Sequence, residues 1–221
     1  MPDLLASFLT PALMTIVITP ALLVVFTDWR LAYVALALQY VAAAVLVSQL
    51  VILPVVAAKL IAGLLVAGIL AVTGWQVNWG RRVSDRLTES SDPGPRSRFS
   101  FDIPTGLPFR AVAAVMVLVA AGLTAGRADF TLPGLQGAPG VNFAVYVLVG
   151  LGLLNLGLTD EPMNAGLGLV TLLTGFELFY AALEPSLAIV ALLAAVQFGV
   201  ALAVGFLALR QYASAGEGPP G

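Results

Sequence analysis

The chain has 221 residues, 60% of them hydrophobic and only 10% charged, with a formal net charge of -2. Soluble domains of this size are about half apolar and a quarter charged, so the composition is that of an all-α integral membrane protein rather than a water-soluble one. There is no cysteine and no histidine, which excludes iron–sulfur clusters, attached c-type haem, disulfides and the usual ligands of membrane haems. No phosphate-binding glycine loop, Ser/His/Asp set or zinc spacing occurs. A catalytic centre, a metal, a cofactor or a nucleic-acid partner is therefore not expected.

A bilayer core about 30 Å thick takes roughly 20 apolar residues of helix to cross, and seven segments qualify. The first, 4–26, lacks a basic start and is longer than the ~7–15 residue core of a signal peptide, so it reads as a span. After "TDWR" comes 30–53, with Gln39 near its midpoint. Pro54 then opens 55–76, which carries Lys59. Proline suits a first helical turn, where its missing N–H costs nothing.

The next stretch, "RRVSDRLTESSDPGPRSRFSFDIPTG", is polar and broken by proline and glycine. It reads as a solvated connector, 80–107, or as a docking strip for a peripheral subunit. It separates a three-helix half, 1–79, from a four-helix half, 108–210. No repeat relates the halves, which argues against an inverted-repeat transporter. The second half holds 108–126, 141–158, 162–183 and 186–209, followed by a tail, 211–221, expected to be flexible. The segment 141–158 is short and contains Gly150, Gly152 and Gly157; a re-entrant piece there, with six spans in all, is the alternative.

Six of the ten basic residues, Arg81, Arg82, Arg86, Arg96, Arg98 and Arg110, fall between 80 and 110. The positive-inside bias places that connector in the cytoplasm, the N-terminus outside and the C-terminus inside, in the cell (inner) membrane. Arg30, Arg210 and the interfacial Trp29, Trp75 and Trp79 then fall on the cytoplasmic side, and Arg127 outside.

Only two ionisable residues lie well inside the spans, Lys59 and Glu177. Each costs at least ~2.5–3.5 kcal/mol at mid-bilayer on insertion scales. Lys59 could snorkel to the outer interface or pair with an acid of a neighbouring subunit. Glu177 lies about 10 Å deep at ~1.5 Å per residue and has no long stem. Thr174 and Thr171 share its face, and Asn164 extends the polar side. That stripe must face protein or water, either as hydrogen-bonded glue or as part of a proton or ion path. Gln197, Gln39 and Asn155 are further intramembrane amides able to bond across helices. In the last span Ala191, Ala195, Gly199 and Ala203 recur every four residues, a smooth ridge suited to close helix packing. With Gln197 off that ridge, the helix is expected to have two contact faces.

The stretch from Val141 to Arg210, with "GFELF" around Glu177 and "ALLAAVQFGVALAVGFLALRQ" at its end, resembles the three-helix K (4L-type) subunit of NADH:quinone oxidoreductase. It also resembles the C subunit of Mrp-type sodium/proton antiporters. With "DWRLAYVALALQYVAAAVLV" and "AAKLIAGLLVAGILAV" in front, the whole chain is similar to component E of the hydrogenase-4 and formate-hydrogenlyase group. The resemblance implies a non-redox subunit beside an antiporter-like one, with proton or sodium translocation driven by electron transfer elsewhere. An antiporter subunit without a redox partner is the alternative; from another class, a stand-alone small transporter or a membrane scaffold. Gln197 stands where these families usually have a second acid, and an amide cannot titrate.

Overall fold

A computed structural model describes residues 2–26, 28–77, 106–184 and 186–216. The connector 80–107 lies almost wholly outside these residues, as do Trp79, Pro185 and the end of the tail. Seven α-helices are described: α1 (Pro2–Val25), α2 (Trp29–Val47), α3 (Leu53–Gln76), α4 (Leu107–Ala125), α5 (Pro139–Gly157), α6 (Pro162–Leu183) and α7 (Leu187–Gly216). No strand occurs among the described residues. Six of the helices, α2 to α7, are long and apolar enough to cross a membrane, and α1 contributes a shorter apolar stretch, Leu9–Val25. The chain is an all-α, multi-pass membrane protein.

Punctuation explains most of the boundaries. Proline occupies the first turn of α3, α4, α5 and α6, and Asp28 caps α2 by accepting from the Arg30 N–H at 3.2 Å. Two bounds differ from the sequence expectation by more than two residues. α2 stops at Val47 rather than 53, because Ser48 turns back to the Val45 carbonyl (2.7 Å) and 48–52 form the reversal into α3. α7 continues past 209 to Gly216. The glycine-rich segment is no re-entrant loop: α5 is one continuous helix.

The helices on either side of the connector pack together. α1 lies against α2, α5 and α4; α2 against α3 and α6; α3 against α7; and α5 against α6. Burial is deepest in α2, of whose span 61% is inside, and slightest in α4, at 11%. The outer faces of α4 and α7 present Val112, Val115, Met116, Leu192, Leu202 and Phe206, large apolar side chains that the chain itself leaves uncovered.

Glycines decide how closely the helices approach. A Cβ on Gly152 would stand 2.7 Å from the Leu172 backbone nitrogen, and one on Gly168 would stand 3.1 Å from the Gly152 carbonyl oxygen. α5 and α6 thus touch backbone to backbone, the packing that small residues permit in membranes. Between α2 and α3, Tyr40 and Tyr33 lie where Gly63 and Gly74 leave no side chain. The ridge on α7 behaves otherwise. Ala191, Ala195, Gly199 and Ala203 are exposed, and nothing in the described chain approaches the Cβ position of Gly199. Within the chain α7 packs through Gln197, Ala201, Val204 and Ala208 instead, so the expected second contact face has no occupant there.

Arg110 ties one end of the bundle. Its guanidinium donates to the Leu158 carbonyl (3.0 Å) at the end of α5 and to the Val24 carbonyl (3.4 Å) at the end of α1. A fixed cation at two helix C-termini satisfies carbonyls that lack intrahelical donors.

The glycine contacts separate two outcomes. Gly168→Val, which drives methyls into the α5 backbone, should cost roughly 2–4 kcal/mol by overpacking and helix separation. Gly157→Ala, with nothing near the added methyl, should be neutral or slightly stabilising. Thermal unfolding in detergent checks both; equal effects at the two positions would contradict backbone contact.

Candidate functional site: a buried ion pair and its polar seam

α3 begins at the end of the bundle where α6 finishes, which brings Lys59 level with Glu177. Lys59 Nζ lies 3.4 Å from Glu177 Oε2, with the two side chains 8% and 5% exposed. This corrects both expectations for Lys59: it neither snorkels to the interface nor awaits an acid from another subunit. Its partner is in its own chain, and Glu177 is likewise paired. A lysine stem on α3 is long enough to reach across to α6, whereas sequence spacing gave no sign that these two charges meet.

The pair heads a row of buried polar groups. Tyr40 donates its hydroxyl to Gln197 Oε1 at 3.1 Å and also faces Thr174. That hydrogen bond fixes which way the Gln197 amide points. Its Nε2 is turned toward Glu177 yet completes no hydrogen bond, a buried donor held in reserve beside the carboxylate. Thr174 spends its own proton on the Val170 carbonyl at 2.8 Å. One turn further on, Gln39 Nε2 reaches Thr171 Oγ1 at 3.5 Å, and Gln39 Oε1 has no partner. The seam thus joins α2, α3, α6 and α7, and Gln39, Lys59, Thr171, Thr174, Glu177 and Gln197 all belong to it.

Asn164 does not. It lies about 10 Å further along α6 than Thr171 at ~1.5 Å per residue, beyond Leu167 and Val170, which are fully buried. There Asn164 Nδ2 donates to Glu161 Oε2 (3.3 Å) and Asn155 Nδ2 to the Asn164 carbonyl (3.2 Å). These two amides form a separate polar group at the Arg110 end.

Three residues of the site were not singled out by sequence reasoning. Tyr40 reads as one aromatic among apolar neighbours, and its part depends on Gly63 across the helix contact. Tyr180 and Glu184 line a narrow cleft beside the ion pair, with about 10 Å³ open to a water-sized sphere, together with Ala181, Ile189, Val190 and Leu193, room for about one water. Glu184 stands at the C-terminal cap of α6, and spacing gives no hint that α7 leaves a gap there. Among the described residues no three acidic side chains converge as a metal site would require.

Chemically, the pair is a neutral unit that can part into two charges when a third charge arrives. Burying it costs several kcal/mol per ion before attraction is counted, so removing one member should be worse than removing both. Lys59→Met and Glu177→Leu singly should each lose roughly 3–5 kcal/mol of stability, and the double variant should recover most of that loss. A double-mutant cycle read by thermal unfolding in detergent tests it; additive losses would show that the pair is not coupled.

Compared with protein-family models, curated proteins and solved structures, the chain matches none of them.

Proposed function

We propose that this chain is a non-redox membrane subunit of an ion-translocating assembly of the complex I-like or group 4 hydrogenase-like kind, and that the Lys59–Glu177 pair is part of its proton or sodium path. The observation that carries this reading is an ion pair held nine-tenths buried inside a membrane bundle, at the head of a polar seam through four helices. Intramembrane charges of this kind are expensive and mark ion paths more often than glue. The absence of cysteine and histidine fits a subunit whose electron transfer takes place elsewhere.

Neighbouring membrane subunits, an antiporter-like one first, are part of the same reading. Their support is no longer an unpaired charge. It is that the seam stops at Thr171 and Gln39, short of the Asn155–Asn164 group, so a path across the membrane needs polar groups from another chain. The exposed ridge of α7 offers a smooth surface for such a neighbour. The arginine-rich connector faces the cytoplasm in this reading, where a peripheral subunit can meet it.

The test compares two variants in the assembled complex. Glu177→Gln keeps the shape and removes only titration and charge, so it should assemble with its antiporter-like neighbours and lose at least half of the coupled ion pumping. Glu177→Ala should lose the same fraction or more. Pumping at the wild-type rate by Glu177→Gln, with failed assembly of Glu177→Ala, would reassign Glu177 to structure. Measured coupling without any redox partner would favour the Mrp-type antiporter subunit.

A further inference from the structure

The cleft beside the pair has a direction. It runs along the last turns of α6, past Glu184, Ala181, Tyr180 and Glu177, and is closed by Ile189, Val190 and Leu193 of α7 and by Lys59 of α3. Glu184 is exposed and Glu177 is buried, so the cleft descends from a surface carboxylate to an internal one. That descent is about 10 Å at ~1.5 Å per residue. Beyond the seam the same helices close tightly: Leu36, Val66, Leu70, Leu167, Val170 and Ala201 are all 0% exposed and belong to one apolar cluster.

We propose that Lys59 and Glu177 form the floor of a one-sided entry site for a small monovalent cation, hydronium or sodium, with Glu184 as the collecting carboxylate at its mouth. This rests on the reading of the pair as part of an ion path. The charge pattern selects the class of ligand. Lys59 and Glu177 cancel, so among the lining residues Glu184 sets the sign of the cleft. Low-dielectric walls focus such a field and raise the local concentration of the attracted ion. Gln197 completes the site: its buried, unpartnered Nε2, oriented by Tyr40, faces the Glu177 carboxylate. It can hold that carboxylate when an arriving cation competes with Lys59 for it. The apolar cluster is the far wall and makes the entry one-sided.

The chain has no cysteine of its own, so single thiols report access cleanly. Val190→Cys and Leu193→Cys, both at half-buried cleft positions, are placed in the assembled complex in native membranes, with a thiol in the 80–107 connector marking the opposite side. Both should react with impermeant methanethiosulfonates only from the side away from the connector. After normalisation to a free thiol, the cationic reagent should react about tenfold faster than the anionic one, and Glu184→Gln should bring the two rates together. Slowing by sodium chloride relative to choline chloride assigns the ion as sodium; insensitivity assigns hydronium. Reaction from the connector side would overturn the proposal. So would silence from both sides by thiols that react after denaturation, or a cation preference indifferent to Glu184→Gln. One-sided labelling with normal pumping by Glu177→Gln would keep the entry site and remove the ion path; lost pumping without one-sided labelling would do the reverse.

Discussion

Desolvation of the Lys59–Glu177 pair is the constraint around which the bundle is arranged. Each charge alone is intolerable in hydrocarbon, and the two together still forfeit more hydration than a pair of leucines would. α3 packs chiefly along α2 and α7, so the lysine stem has to reach α6 past them. α7 leaves a cleft at that level instead of closing on α6. Glu177 is one long-stem reach from α3, and Tyr40 and Gln197 surround it with dipoles. Apolar residues of equal volume would pack these four helices as well and at lower cost. Retaining charge there is therefore intelligible as chemistry, not as stability.

The helices were legible because a bilayer leaves little choice. Hydrocarbon demands spans of about 20 residues, and proline at the first turn of four helices marks where they start. The span 162–183 coincides with α6, and 55–76 misses α3 by two residues at its start. What failed was local: α2 ends early because Ser48 folds back on the helix, while the apolar residues 50–53 that follow read as more of the same span. The glycines of α5 were read as weakness in the helix, whereas Gly152 is there because α6 approaches its backbone.

The site was legible residue by residue but not as an arrangement. Polar side chains in apolar helices stand out in any sequence, and Lys59, Glu177, Gln39, Gln197, Thr171 and Thr174 all proved to converge. Their pairing was hidden, because Lys59 and Glu177 are 118 positions apart and the connector between their halves carries no record of which faces meet. Asn164 shows the opposite limit. It has the polarity of the stripe, but helical angle drift and two buried aliphatic residues put it in another group. The α7 ridge shows a third: small residues signal where a helix could be approached, not whether this chain supplies the partner.

The identity of residue 197 follows from the charge balance. In the floor of the cleft one ammonium already offsets one carboxylate. An acid at 197 would add a third charge in a medium that penalises each unpaired ion by several kcal/mol, and it would have to take up a proton or a cation at once. An amide of nearly the same shape keeps the acceptor that Tyr40 occupies and substitutes a donor for the second oxygen. That donor is turned toward Glu177 without yet bonding it, and is free to support the carboxylate without competing for its charge. Under the proposed reading, the second acid that the resembling families carry here is dispensable once a lysine of the same chain supplies the counter-charge. The seam then needs only one titrating carboxylate, and the side chains around it serve to orient that one group between Lys59, Gln197 and the mouth of the cleft.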